Sequence, residues 1–304
     1  MTRPSRSSRP SRLTSRDFAP EVLRLFDQYV HGLLDRRGFL QGAARHATAA
    51  VSAEALLAQL APNFAQAQQV RPDDARIQTV FAEVDSPQGH GKLRGYLAQP
   101  AGAKGPLPTV LVVHENRGLN PHIADVTRRF ALENVVAFAP DALFPLGGYP
   151  GDEDKARELF GKLDPAKARA DFIAAARWLQ ALPVGNGKLG VVGFCYGGGI
   201  SNFLATQLPE LNAAVPFYGG QPTDEEAARI KAPLLLHFAE HDERINAGWP
   251  RYAAALQRAG VRHEAHTYPG TQHGFHNDTT PRYDEAAARL AWQRTLAFFK
   301  QHLR

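Results

Sequence analysis

A single cysteine, Cys195, is the whole thiol inventory of this 304-residue chain. That excludes an intrachain disulfide framework and any multi-thiolate zinc or iron–sulfur centre. No run of about 18 uninterrupted apolar residues occurs, so stable membrane insertion is not expected. Charge of one sign is also scarce once it is located. The formal net charge is +5, but Arg3, Arg6, Arg9, Arg12 and Arg16 supply all of it with no acid in residues 1–16. Beyond them the basic and acidic residues balance, so no basic groove is indicated and no nucleic-acid partner is expected. What is present, 44% apolar and 21% charged residues, is a globular composition that excludes wholesale disorder, collagen and coiled coil. The length allows one large domain or two modest ones.

The front of the chain is read apart from the rest. Residues 1–16 are Arg, Ser and Pro with almost nothing apolar to bury, and are expected to be mobile. Within residues 17–34, Phe18, Val22, Leu25, Phe26 and Tyr29 recur at helical spacing and predict a short amphipathic helix. The stretch Asp35-Arg36-Arg37-Gly38-Phe39-Leu40-Gln41 resembles a twin-arginine export signal. An alanine-rich stretch over 43–61 comes next, then Ala65-Gln66-Ala67, a small-residue cleavage site before Gln68. Arg45, His46 and Glu54 interrupt the apolar stretch, and the arginine pair stands far from Met1. The competing reading is a helix whose Leu56, Leu57 and Leu60 pack on the main domain, ending at Pro62. The expectation is export to the periplasm through the twin-arginine machinery, with cytoplasmic residence as the alternative. Residues 1–76 are assigned to an N-terminal extension, with the signal at 35–67, and residues 77–304 to the main domain.

In that domain strands and helices alternate. Residues 77–84 and 93–97 alternate in polarity and predict an antiparallel pair turned at 87–91. Residues 109–114, 135–139, 189–194, 213–218 and 234–238 are short continuous apolar runs, as in strands covered on both faces. Helical patterns occupy 123–133, 165–182, 198–207, 249–259 and 284–302. The alternation predicts an α/β fold with a mostly parallel sheet and helices on both sides.

In such sheets the chemistry gathers at the carboxyl ends of the strands. Residues 189–194 lead into Gly193-Phe194-Cys195-Tyr196-Gly197-Gly198-Gly199, a G-x-S-x-G nucleophile elbow with Cys for Ser. Side chains two positions either side of the strained central residue would collide, so glycine stands there. The turn sets the sulfur at a helix N-terminus, where thiolate is favoured. Asp242 comes after the strand at 234–238, and His273 lies in the loop after Tyr268-Pro269-Gly270. Nucleophile, acid, histidine is the chain order of α/β-hydrolases. In that reading Cys195 attacks an ester or lactone carbonyl to give a thioester, His273 moves the proton and Asp242 fixes its tautomer. The oxyanion would lie between the Tyr196 N–H and an N–H of the loop after 109–114. His241 and His276 flank the site, but a metal held by them with His273 is disfavoured because the triad already uses that loop; no metal is expected. Two other readings of the same residues stay open. One is a binding protein that keeps the fold without chemistry. The other is a thiol redox enzyme using Cys195, against which the lack of a resolving cysteine counts.

Over 77–304 the sequence resembles the dienelactone hydrolase family, the carboxymethylenebutenolidases. The carrying strings are GFCYGGG at 193–199, HENRGLN at 114–120, AEHDERI at 239–245 and HGFHND at 273–278. The resemblance implies an α/β-hydrolase fold, opening of enol-lactones without metal or organic cofactor, and a triad at Cys195, Asp242 and His273. It also places the family's mobile glutamate at Glu115 and the second oxyanion N–H at Asn116. An ion pair of Glu115 with Arg117 is the plainer reading of that carboxylate. The two arginines with which family members grip a substrate carboxylate are missing: one position is Asn277, and the other falls in 142–149, which holds no arginine. Arg117 and Arg282 are the candidate substitutes, a neutral ester or lactone is the alternative substrate, and the loop 146–151 with Tyr149 is the candidate specificity lid.

Overall fold

The apolar runs become the middle of an eight-stranded sheet. The structure, a computed structural model, describes residues 12–304 apart from residue 49. The strands are β1 (Ile77–Ser86), β2 (Gly91–Pro100), β3 (Leu107–Val113), β4 (Val136–Pro140), β5 (Gly185–Phe194), β6 (Ala213–Phe217), β7 (Leu234–His241) and β8 (His263–Gln272). Their order is β1-β2-β4-β3-β5-β6-β7-β8. The first two strands run antiparallel, β2 joins β4 antiparallel, and every pairing from β4 to β8 is parallel.

Successive side chains of a strand point to opposite faces, and both faces here are apolar. Leu111 and Val113 pack into one core with Phe172 and Ile200, while Val110 and Val112 pack into another with Phe130 and Phe299. The first core is covered by helices at Pro165–Gln180, Tyr196–Gln207 and Trp249–Arg258, the second by helices at Pro121–Leu132 and Glu285–His302. This is the predicted α/β architecture with helices on both sides. The one strand that polarity hides is β8. Its sequence HEAHTYPGTQ has an edge position and mostly exposed or half-exposed side chains, so no apolar run announces it.

The N-terminal segment is folded onto this domain. Four helices, α1 (Pro20–Val30), α2 (Arg36–Ala43), α3 (Ala53–Leu60) and α4 (Phe64–Ala67), precede β1. Phe18, Val22, Phe26, Tyr29, Phe39, Leu57 and Leu60 form a small core of their own. The helix read at 17–34 is therefore present, ending at Val30. The arginine pair opens α2, whose N-cap Asp35 accepts from the Gly38 N–H. Leu57 and Leu60 are buried in α3, which stops before Pro62 as the competing reading has it, but they and Leu56 pack with α1 and α2 rather than on the main domain, which corrects the rest of that reading.

The mobile tail read for 1–16 falls outside the described residues up to 11, and residues 12–16 correct it. Arg12 donates to the carbonyls of Asp278 and Thr280 and stacks over the Tyr283 ring. Thr14 and Asp17 close a capping box on the turn between them. A guanidinium finds two backbone carbonyls of the buried loop after β8, a gain that composition does not register. No helix among the described residues is long and apolar enough to cross a membrane.

Candidate active site

Cys195 stands between β5 and the helix Tyr196–Gln207 with φ 56° and ψ −110°, the strained turn that the glycine pattern demands. A Cβ at Gly193 would lie 2.0 Å from the Gly197 carbonyl oxygen, and one at Gly197 would lie 2.2 Å from that of Val113. Neither backbone can yield, so only hydrogen fits. The Cys195 N–H donates to Phe217 O at 3.1 Å, pinning the turn to β6. The Tyr196 and Asn116 N–H groups have no acceptor among the described residues. They are free to receive an oxyanion.

Asp242 comes directly after β7 and His273 after β8, and the loops bring them together. His273 Nδ1 donates to Asp242 Oδ2 at 2.5 Å, both side chains being almost wholly buried. The carboxylate thereby holds the proton on Nδ1 and leaves Nε2 facing the sulfur. His273 Nε2 is buried and has no hydrogen-bond partner among the described residues. Tyr218, which the sequence did not single out, lays its ring 4.8 Å from that of His273.

A second imidazole arrives from the end of α1. His31 Nε2 is 3.3 Å from Cys195 Sγ, and its ring stands edge-on to that of His273 at 4.7 Å. Its Nδ1 donates to Asp27 O at 2.7 Å. Nothing in the sequence links residue 31 to residue 195, and no motif could have found it. Burial alone would raise the Cys195 thiol, but the charges of His273 and His31 beside it, with the His31 contact at the sulfur, bring it down to about 5. Burial would lower His273, yet the Cys195 thiolate and the bond to Asp242 lift it to about 10. His31 moves upward for the same reasons, against its own burial, with Asp27 as its carboxylate partner. Thiolate at Cys195 and a protonated His273 thus favour each other.

The nitrogen and sulfur donors of His31, Cys195 and His273 lie within 4.8 Å of one another, close enough for a soft cation. Arg244 Nη2 sits 2.9 Å from His31 Nε2, however, and sets a guanidinium charge against any metal there. The histidine trio His241, His273 and His276 is not assembled. His241 pairs with Glu240 at the surface, while His276 is buried against the Phe194 ring and held neutral, its pKa pushed down to about 3 by burial.

The loop after β3 forms the next wall. Glu115 does not pair with Arg117, which corrects the plainer reading of that carboxylate. Glu115 Oε2 accepts from Asn277 Nδ2 at 2.9 Å, so the asparagine at the missing arginine position holds it. Arg117 turns to Glu153 at 3.7 Å and donates to Val30 O at 3.2 Å. Glu153 belongs to a helix, Glu153–Phe160, that the sequence pattern does not announce. Tyr149 lines the cavity and donates its hydroxyl to Glu153 at 2.9 Å.

The cavity holds about 470 Å³ and reaches Cys195 and His273, within the usual range for small-molecule sites. Phe26, Leu57 and Phe64 cover it from the N-terminal segment, a larger roof than the loop 146–151 supplies. Arg282 also lines it, nearly buried, its Nε without a partner among the described residues.

A mostly parallel sheet with a strained Gly-x-Cys-x-Gly turn, an acid after β7 and a histidine after β8 defines an α/β hydrolase. The comparisons narrow the class. The dienelactone hydrolase family model matches residues 93–303, and the chain belongs to that family and is a hydrolase enzyme. An Escherichia coli K12 protein named "Putative carboxymethylenebutenolidase" is 35% identical over 246 residues, covering 76% of this chain and 89% of that one. Protein usf of Aquifex pyrophilus is 38% identical over 228 residues, 70% and 94% of the two chains. The crystal structure of a "Putative Dienelactone Hydrolase" from Klebsiella pneumoniae superposes with a TM-score of 0.64 at 32% identity, covering 74% of this chain and 99% of the other. Residues 9–47 match a separate family model, described as YqhI-like.

Proposed function

We propose that the enzyme hydrolyses a small carboxylic ester or lactone through a thioester on Cys195. The observation that carries this is the sulfur at the strained turn with a carboxylate-held imidazole beside it. Cys195 thiolate adds to the carbonyl carbon, and the carbonyl electrons move onto oxygen between the Tyr196 and Asn116 N–H groups. Collapse breaks the C–O bond, and His273 Nε2–H protonates the leaving oxygen. Neutral His273 then draws a proton from water, hydroxide adds to the thioester, and the acid leaves as the thiolate is expelled. Asp242 keeps the ring oriented throughout. Glu115, parked on Asn277, is the carboxylate placed to move when substrate enters. Arg117 and Tyr149 shape the substrate end of the cavity.

A brief mix with 4-nitrophenyl acetate and an acid quench should leave an acetyl group on the peptide holding Cys195, read by mass spectrometry. Rapid turnover with no trace of that adduct counts against the thioester.

Arg282 is the cation with an unspent donor, whereas Arg117 is committed to Glu153 and Val30. It suits a substrate carboxylate. Arg282→Ala should raise KM for an anionic ester about tenfold or more, the usual loss of a charge-assisted bond. A neutral ester of equal size should change little. Equal loss for both would assign Arg282 to structure alone.

Export through residues 35–67 is a separate proposal. It is supported by the exposed Arg36 and Arg37 and the Ala65-Gln66-Ala67 string, and amino-terminal sequencing of the mature protein tests it. Cleavage after Ala67 would take His31 out of the site.

A further inference from the structure

The hydrogen bond on the Cys195 sulfur comes from outside the domain that the dienelactone hydrolase family model matches. His31 lies in the YqhI-like segment, 164 residues away, and its Nε2 is the nitrogen in bonding reach at 3.3 Å. His273 Nε2 lies close by but has no partner among the described residues. Three features aim His31 at the sulfur. Its Nδ1 must be the N–H, because the Asp27 carbonyl 2.7 Å away can only accept. The Asp27 carboxylate adds a negative charge 3.3 Å from the same ring nitrogen. Finally, His31 caps the C-terminus of α1, whose negative dipole end favours a cation.

The docking of α1 is built rather than incidental. Its terminal carbonyls are taken up by the main domain: Asn116 Nδ2 donates to Val30 O at 2.8 Å and Arg157 Nη1 to Tyr29 O at 2.7 Å. Arg157 also lies over the Tyr29 ring, and Arg282 over that of Phe26. The segment that forms the roof of the cavity is thereby fixed in register with the sulfur.

We propose that His31 is a catalytic residue of this enzyme: as imidazolium it donates Nε2–H to the Cys195 sulfur and keeps the nucleophile ionised before substrate arrives. This rests on the reading of Cys195 as nucleophile. His273 keeps the proton transfers to the leaving oxygen and from water, and no further proton is required, since His31 remains charged through the cycle. The charged neighbours act in both directions. Asp27 favours the cation, and Asp242 serves His273. Arg282 lies 3.5 Å from Asp27 and tempers it. Glu115 and Arg117 also line the cavity, Arg117 bonding Val30 O beside His31. Arg244 Nη2 stands 2.9 Å from His31 Nε2 at the exposed mouth, and a guanidinium only donates, so Arg244 must swing toward solvent for Nε2 to carry its proton.

The test uses the full chain with His31→Gln and His31→Gly. Alkylation by iodoacetamide against pH reads the thiolate fraction whether or not the protein hydrolyses anything. The substitutions should move its midpoint upward by about a unit or more and slow alkylation at pH 6 on the order of tenfold. Ester hydrolysis should fall at pH 6 and approach the parent rate near pH 9, where the thiol ionises unaided. Added imidazole should restore the glycine variant. An unmoved midpoint overturns the proposal, including the case of equal loss at every pH, which is what a merely structural residue gives. Faster alkylation and hydrolysis at all pH values overturns it as well, because His31 would then be blocking the sulfur. Persistence of hydrolysis in Cys195→Ala would sink the nucleophile reading instead and leave the alkylation result standing.

Discussion

Alanine at Cys195 is expected to lower kcat/KM for aryl acetates by about 10⁴-fold or more, the scale on which serine hydrolases lose activity without their nucleophile. In the proposed reaction the sulfur bonds the carbonyl carbon, and nothing near it replaces that sulfur: it is the only thiol in the chain. What survives should be the small contribution of the Tyr196 and Asn116 N–H groups and of substrate binding. The fold should survive too, because alanine keeps the Cβ at φ 56° and the N–H to Phe217 O. Steady-state kinetics beside far-ultraviolet circular dichroism separates the two effects. Serine at the same position is the sharper companion. The surroundings that bring the thiol to about 5 cannot ionise a hydroxyl, so Cys195→Ser should remain far below the parent.

Asn in place of Asp242 should cost on the order of 10⁴ in kcat, as the corresponding change does in a Ser-His-Asp triad. At 2.5 Å the carboxylate oxygen accepts the His273 Nδ1 proton. An amide presents an N–H or a weaker acceptor to the same atom, so the ring takes the other tautomer and Nε2 no longer serves as base. The loss of charge acts in the same direction, since the bond to Asp242 is one of the causes that hold His273 near 10. Its pKa should fall, and the thiol midpoint should rise with it, because the two charges stabilise each other. Single-turnover kinetics should show slow acylation and slow deacylation together. A kcat within tenfold of the parent would show that Asp242 is not the orienting acid.

Legibility differs by element for physical reasons. β3 through β7 are visible because strands buried on both faces must be apolar at every position. β8 is not, since an edge strand answers to hydrogen bonding and solvent and here reads as polar. The turn at Cys195 is visible because two backbones approach within a distance that no Cβ tolerates. Asp242 is visible through its place after a strand, and His273 through the chain order of nucleophile, acid and histidine. A Glu115–Arg117 pair is the natural reading of two neighbours in sequence, and it fails because Arg117 meets Glu153 on a helix distant in sequence while Asn277 takes Glu115. The loop 146–151 is the natural place for a lid, beside the strand ends, yet most of the roof comes from α1, α3 and α4.

The sequence alone determined the sheet from β1 to β7, the main helices that cover it and the identity of the sulfur-bearing turn, because these obey short-range rules: which faces are apolar, where glycine is compulsory, which residue types come at the end of each strand. It could not determine which side chain reaches that sulfur. The Cys195–His31 contact depends on how a short helix settles on a surface far along the chain, fixed by Asn116 and Arg157 taking the carbonyls at its end. Contacts of that kind are set by docking geometry in three dimensions, and no pattern of spacing along the chain encodes them.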